Sequence, residues 1–473
     1  MTPSPWMPEI TSRNGPKYLA IADAIGAAVT EGELSAGAKL PPQRNLAYDL
    51  GVTLGTVTRA YREAERRGLV GGEVGRGTFV LGSGRPSGAE RFIGPDAPAF
   101  DDGIDMVHAI PVLGMAGREL ATTLAEIAAE PDIDALTGYQ FQGGLSRHLE
   151  AGRQWMSEMG YDAPVDRMTI TNGVQHGMMV ALLTAARSGD VVLAEELTYP
   201  GFIHMARRLG YRLEGIAMDD QGALPDAFDE ACRRTGSKVL YMTPALQNPC
   251  AAVTGMERRQ ALLDVARRHG AFIIEDDVWG PLLPERHPPM ASLAPDLVYY
   301  VTGLSKCMAG GLRVGYIAAP EHLGEKLRAT VRMTTWMTPP LMAEVATRWI
   351  ADGTGARLTQ WQRQRAAERV AQARQHLGPL EGKLDGFSLA GHDNAHYIWM
   401  TLPQPWRNVD FKAEMEARGI RVLTAESFAV GRRDVPHAAR LCFGAAKRLE
   451  DTDRALATIA DVLTSAPGGG YVV

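Results

Sequence analysis

Cysteine is scarce in this chain: Cys232, Cys250, Cys307 and Cys442 are the only four among 473 residues, and they stand far apart. They form neither a CxxC pair nor a Cys/His spacing suited to a metal. This argues against a disulfide framework and a zinc module and favours a reduced, cytoplasmic protein. Long apolar runs are missing as well. No stretch is long enough to span a bilayer, so no membrane partner is expected. Met1-Thr2-Pro3-Ser4-Pro5-Trp6 lacks the basic segment and apolar run of a secretory leader. Positive charge is not in excess either. A net charge of −6 argues against a chain that coats nucleic acid everywhere, yet it permits one basic face. No internal repeat is visible, and the length predicts two or three domains.

What is present begins with a helical segment. Tyr18, Ile21, Ala22, Ile25 and Val29 recur at helical spacing and predict an amphipathic first helix, stopped by Gly32 and Leu34-Ser35-Ala36-Gly37. Leu40-Pro41-Pro42-Gln43-Arg44-Asn45-Leu46-Ala47 starts a second helix, with proline in the first turn where a missing N–H costs little. Gly51-Val52-Thr53 is a tight turn, and Thr53 is placed to cap a third helix from Leu54 to about Arg67. That helix turns Val57, Ala60 and Tyr61 inward and Thr56 and Arg59 outward. Gly75-Arg76-Gly77-Thr78-Phe79-Val80 follows as a hairpin tipped by Arg76. From Arg13 to Val80, nine basic residues face seven acidic ones, a net of +2 inside an acidic chain. Two helices joined by a short turn, then a basic-tipped hairpin, suit reading of double-stranded DNA through the major groove.

Residues 82–102, opening Gly82-Ser83-Gly84-Arg85-Pro86-Ser87-Gly88, lack apolar periodicity and read as a tether. For its later part, Phe92-Ile93 and Phe100, an ordered loop packed on the second domain is nearly as good a reading. From about residue 140, helical stretches alternate with short apolar strands. Met168–Ile170, Val191–Leu193, Lys238–Tyr241, Ala271–Ile274, Leu297–Val301 and Val314–Ala318 predict a mostly parallel sheet covered by helices on both faces. Ligands bind beyond the carboxyl ends of such strands, and polar residues collect there. Thr171-Asn172-Gly173-Val174-Gln175 opens a helix whose first amides and dipole favour a phosphate. Tyr199 offers a stacking face, Asn248 an amide, and Asp276 an acid able to keep a pyridine nitrogen protonated. Lys306 follows an apolar run, with Arg313 seven residues on, a setting for imine formation beside a phosphate-holding guanidinium. Singly, Asp276 reads equally as a helix cap, Tyr199 as core, Asn248 as a turn residue and Lys306 as a surface charge. Their joint order is the signal.

In that order the segment from Arg13 to Val80 resembles the GntR-type winged helix-turn-helix. The resemblance implies DNA contacts from Arg44, Thr56, Arg59 and Arg76. Leu54-Gly55 departs from the polar or basic pair common there. Residues 105–465 or so resemble the fold type I pyridoxal-phosphate aminotransferases, and together the halves resemble the MocR subgroup of GntR-type regulators. The implied fold is an N-terminal α+β winged helix-turn-helix over 13–81. A linker at 82–102 leads to an α/β fold type I transferase over 103–465 that carries a smaller α+β terminal subdomain. The cofactor implied is pyridoxal 5′-phosphate. Lys306 would form the Schiff base and Asp276 would pair with the pyridine nitrogen. Asn248 would bond the phenolic oxygen, Tyr199 would stack on the ring, and Val174, Gln175, Ser305 and Arg313 would surround the phosphate. Tyr139 would reach the partner subunit's phosphate in a homodimer, and Arg440 would clamp an effector carboxylate. Trp279 stands where tyrosine is usual, Gly303 where a phosphate-binding serine is frequent, and Gly310 where proline is frequent. These departures favour a sensor of an amine, an amino acid or the cofactor itself. A working aminotransferase carrying a DNA-binding module is the alternative.

Overall fold

The computed structural model describes residues 6–8, 16–30, 33–34, 38–66, 69–73, 77–80, 103–431, 435–446 and 448–465. Arg76 and the tether at 82–102 lie outside them. The chain divides into two compact units, Met1–Pro98 and Ala99–Val473.

In the first unit, α1 (Lys17–Thr30), α2 (Gln43–Asp49) and α3 (Leu54–Arg66) precede the antiparallel pair β1 (Val70–Glu73) and β2 (Gly77–Val80). Ile21, Ala22 and Ile25 of α1 pack with Val57, Ala60, Tyr61 and Ala64 of α3, all buried. The Tyr61 hydroxyl donates to Pro41 O at 2.7 Å, so the ring is buried without a wasted polar group. Gly51 takes φ +60° after α2, a left-handed turn that glycine adopts without steric cost. Thr53 Oγ1 then accepts the Thr56 N–H at 3.2 Å and starts α3. One feature was not foreseen: Leu40 N and Val80 N bond Thr78 O and Ala38 O at 2.8 Å, which lays residues 38–40 along the hairpin.

The second unit opens with β3 (Ile104–Asp105), α4 (Met115–Ala128) and α5 (Ser146–Glu158). Next come β4 (Met168–Thr171), α6 (Val174–Ala185), β5 (Val191–Glu195), α7 (Pro200–Arg208) and β6 (Arg212–Ile216). A small hairpin, β7 (Met218–Asp219) and β8 (Gly222–Ala223), leads to α8 (Pro225–Thr235), β9 (Val239–Met242), α9 (Met256–His269) and β10 (Phe272–Asp276). The large layer closes with α10 (Met290–Leu293), β11 (Val298–Gly303) and β12 (Gly315–Ala318). The sheet runs β4-β12-β11-β10-β9-β5-β6, with only β12 antiparallel to its neighbours. The inner strands are buried on both faces, as helices on both sides of a parallel sheet require.

Helices α11 (Gly324–Thr335), α12 (Pro340–Ala351) and α13 (Thr354–Leu377) lead to a smaller four-stranded antiparallel sheet. Its strands are β13 (Ser388–Ala390), β14 (Tyr397–Thr401), β16 (Leu423–Thr424) and β17 (Ala438–Cys442). With α13, α14 (Asn408–Ala417) and α15 (Leu449–Thr464), this sheet forms a separate core around Phe411, Leu441, Phe443 and Ile459. β15 (Ile420–Arg421) pairs in parallel with β3, so the segment that enters this unit is held by its smaller layer. The second unit is thus a seven-stranded mixed sheet with a small antiparallel subdomain, the fold expected from sequence.

Candidate ligand site at the carboxyl ends of the sheet

Strand register assembles the site. Gly315 of β12 pairs with Thr171 at the end of β4 and with Gly303 at the end of β11. Because β12 runs against both, the residues before it meet the residues after them. Arg313 therefore falls beside Asn172-Gly173 and beside the turn that carries Lys306. Its Nη2 donates to Asn172 O at 3.3 Å. Gly173 precedes α6 at φ +76°, and a Cβ there would lie 2.7 Å from that guanidinium. Glycine is needed both for its conformation and for this approach. Val174 and Gln175 follow as the first residues of α6, where amides have no acceptor within the helix. The Ser305 hydroxyl is buried and without a hydrogen-bond partner among the described residues. Gly303 suits the local packing: a Cβ would lie 2.8 Å from Val174 Cγ2, so a serine there would force its neighbours to shift.

Asp276 is the last residue of β10 and is buried. Tyr241 Oη donates to its Oδ2 at 2.7 Å, and the Val278 N–H reaches its Oδ1 at 3.2 Å. Burial pushes the Asp276 carboxyl up to about 6, against the lowering effect of those two hydrogen bonds. Lys306 Nζ donates to Ala109 O at 2.6 Å and lies 5.0 Å from the centre of the Trp279 ring. Burial, followed by the positive charge of Arg440, lowers its amine to about 8. Tyr199 caps the start of α7 and is half-buried.

Arg440, on β17, is buried between the rings of Phe428 and Tyr397, at 4.8 and 5.5 Å. Its Nη1 donates to Asn248 Oδ1 at 2.6 Å and its Nη2 to Val107 O at 2.7 Å. A guanidinium only donates, so this bond fixes the Asn248 amide with its oxygen toward Arg440 and its NH2 free to donate elsewhere. His396 bonds Lys306 O through Nε2 at 3.1 Å and tilts against Trp279. Cys307 is buried beside Lys306, and burial pushes its thiol up to about 12, which leaves it inert as a nucleophile.

Lys306, Asp276, Asn248, Arg313 and Arg440 thus gather at one end of the sheet, together with Ser305, Val174 and Gln175. Tyr139 does not join them. It is 70 % exposed, with its ring against Phe141 and Trp336 at 6.1 and 6.2 Å. In the other unit, Arg44 and Arg59 are exposed and Thr56 is half-buried, with the Arg59 guanidinium 4.3 Å over the Tyr18 ring. Sequence reasoning missed the carbonyls of Val107 and Ala109, which carry no side-chain signal. It also missed Tyr241, which reads as an ordinary strand residue.

A profile of class I and II aminotransferases matches residues 114–459, and a profile of bacterial regulatory proteins of the GntR family matches residues 17–80. The chain is 28 % identical over 456 residues to the HTH-type transcriptional regulator YdeF of Bacillus subtilis, covering 96 % of each. It is 26 % identical over 395 residues to the probable rhizopine catabolism regulatory protein MocR of Rhizobium meliloti, covering 76 % of this chain and 78 % of that one.

The chain belongs to the MocR subfamily of GntR-type regulators. An archaeal alanine:glyoxylate aminotransferase superposes on this MocR-type chain with a TM-score of 0.70 at 20 % identity, over 76 % of this chain and 90 % of that one. A kynurenine aminotransferase of Pyrococcus horikoshii gives 0.69 at 22 %, over 76 % and 91 %. These likenesses establish the fold. Among the described residues, no helix is long and apolar enough to cross a membrane, and no cluster of His, Cys, Asp and Glu is placed to hold a metal.

Proposed function

We propose that this MocR-type regulator is a cytoplasmic, homodimeric DNA-binding protein whose aminotransferase-like unit binds pyridoxal 5′-phosphate and senses an amino compound or the cofactor itself. The observation that carries the proposal is the gathering of Lys306, Asp276, Asn248, Arg313 and Arg440 at one sheet end. The fit is supported by the partnerless Ser305 hydroxyl and by the Gly173 turn, which bares the first amides of α6 beside Arg313.

When bound, the cofactor supplies an aldehyde that condenses with amines and a pyridine ring that draws electrons. The chain's own groups suit it. Lys306 carries an amine that is partly neutral near pH 8 and so able to attack a carbonyl. Asp276 holds positive charge at a ring nitrogen. The Asn248 NH2 donates to a phenolic oxygen, while the Trp279 indole, a donor only, supplies no acceptor there. Tyr199 offers a stacking face, and Val174, Gln175, Ser305 and Arg313 surround a phosphate. Tyr139, exposed on one protomer, is available to a second copy. Arg44, Thr56, Arg59 and Arg76 are the DNA contacts of this reading.

Transmission begins at two carbonyls. Ala109 O accepts from Lys306 and Val107 O from Arg440. A ligand that occupies Lys306 and draws Arg440 to its carboxylate frees both carbonyls, and with them the segment that follows β3. In sequence, that segment continues back through 82–102 to the DNA-binding residues. The ligand shifts DNA binding only by its differential affinity for the held and released states.

Lys306→Ala tests the reading. The variant is expected to lose covalent retention of the cofactor and every ligand-dependent change in DNA affinity. It should still bind DNA, at one affinity that ligand no longer shifts, measured by titrating DNA flanking the gene at several salt concentrations. A variant that still responds to ligand would refute the covalent role. A working aminotransferase is the second reading, favoured by the retention of Arg440 with the whole set around Lys306. Multiple-turnover transamination across a panel of amino acids separates the two.

A further inference from the structure

We propose that Tyr241 is a positioning residue for Asp276: its hydroxyl holds one carboxylate oxygen so that the acid stays ionised and aimed at a cationic ring nitrogen. The inference rests on the cofactor reading above and assigns a role to a residue that reads as plain strand core.

Register explains the reach. Tyr241 of β9 pairs with Ile274 of β10, so their side chains leave the same face of the sheet. Asp276 lies two residues beyond Ile274, again on that face. The Tyr241 hydroxyl therefore meets the carboxylate, at 2.7 Å. The ring is fixed by parallel stacking on Phe202 of α7, with centroids 3.7 Å apart and planes 9° from parallel. Tyr241 is fully buried, and burial raises its hydroxyl well above its ordinary value. It is a permanent donor at any working pH.

The other ionisable groups near Asp276 have different partners. Asp277 accepts from Tyr300 at 2.5 Å and Arg286 at 2.6 Å. Glu195, at the end of β5, accepts from Gln247 and the Thr243 N–H. His176, on α6 above β10, pairs with Thr334 and accepts the Asn172 N–H. Lys306 is held by Ala109 O. Tyr397 donates to the carbonyls of Leu246 and Gln247, and Tyr199 faces the site as a neutral phenol. Tyr241 is thus the one side chain among the described residues shown donating to Asp276. Loss of a hydrogen bond to a buried charge favours the protonated acid, which cannot balance a ring cation.

The test is binding of two probes to full-length protein: pyridoxal phosphate, and its analogue with CH in place of the ring nitrogen. Wild type is expected to prefer the nitrogen-bearing probe, and to lose that preference as pH falls through the titration of Asp276. Tyr241→Phe keeps the ring and its stack. It should reduce the preference about tenfold and move its loss upward by about one pH unit. Asp276→Asn should abolish the preference. Unchanged circular dichroism and melting of cofactor-free Tyr241→Phe would show that the fold is intact. A folded Tyr241→Phe protein with the wild-type preference at the wild-type pH overturns the positioning role. Wild type that binds neither probe overturns the cofactor reading itself, and this inference with it.

Discussion

Lys306 sits between two influences that its neighbours set. Burial and Arg440 lower its amine to about 8, while Asp276 pulls the other way. The neutral amine is the attacking form, so attachment of pyridoxal phosphate should accelerate as pH rises toward about 8 and then level off. Stopped-flow growth of the visible band reads this directly, and a rate independent of pH from 6 to about 9 would contradict it. Lys306 was legible in the sequence because an apolar strand, a glycine turn and an arginine seven residues on form an ordered pattern. Val107 and Ala109 were not, since their contribution is a carbonyl that any residue owns. Phe428 and Tyr397, which sandwich Arg440, are likewise indistinguishable from core by composition.

Secondary elements were read well wherever both faces are buried. β9 is an apolar run, and β10 and β11 open as apolar runs. β6, Arg212-Leu213-Glu214-Gly215-Ile216, was missed because an edge strand carries charge on its open side. The run of residues 38–40 along the wing was missed because its pairing is set by tertiary contact. β3 was missed because two residues are too few to show a period.

That short strand has a testable function. Asp105 accepts from the Val107 and His108 amides, from His108 Nδ1 at 2.7 Å and from Arg421. Burial pushes its carboxyl up, but these hydrogen bonds and the charges of His108 and Arg421 outweigh it and hold the group at about 2. Asp105→Asn should speed amide exchange over residues 104–110 by about tenfold, read by mass spectrometry. Unaltered exchange would show that the hydrogen bonds of Asp105 do not hold this segment. On α3, Arg59→Ala should weaken DNA binding and reduce the slope of log affinity against log salt by about one, if the residue meets a phosphate.

At the scale of the whole molecule, buried ionisable groups set the pH response. Burial raises Glu195 to about 8 and Glu275 to about 7, each from 4.5. The folded chain therefore holds protons that the unfolded chain has released, and stability falls as pH rises across that interval. His176 and His396, lowered to about 4 by burial, act in the opposite sense, but only up to 6.5. Lys306 also opposes the acids, but only from about 8 to 10.5. Between pH 6.5 and about 8 the two acids dominate, so the melting temperature of cofactor-free protein should decline there. Glu195→Gln, which mimics the protonated form, should flatten the decline. An equal slope in that variant would place the buried charge elsewhere.

The placement of Trp279 under Lys306 has an optical consequence. An indole 5.0 Å from that amine emits where an attached chromophore would absorb, so its fluorescence should dim in proportion to the fraction of sites filled. Comparison with Trp279→Phe isolates that signal from the other seven tryptophans. The molecule thereby carries its own gauge of occupancy, readable while it sits on DNA.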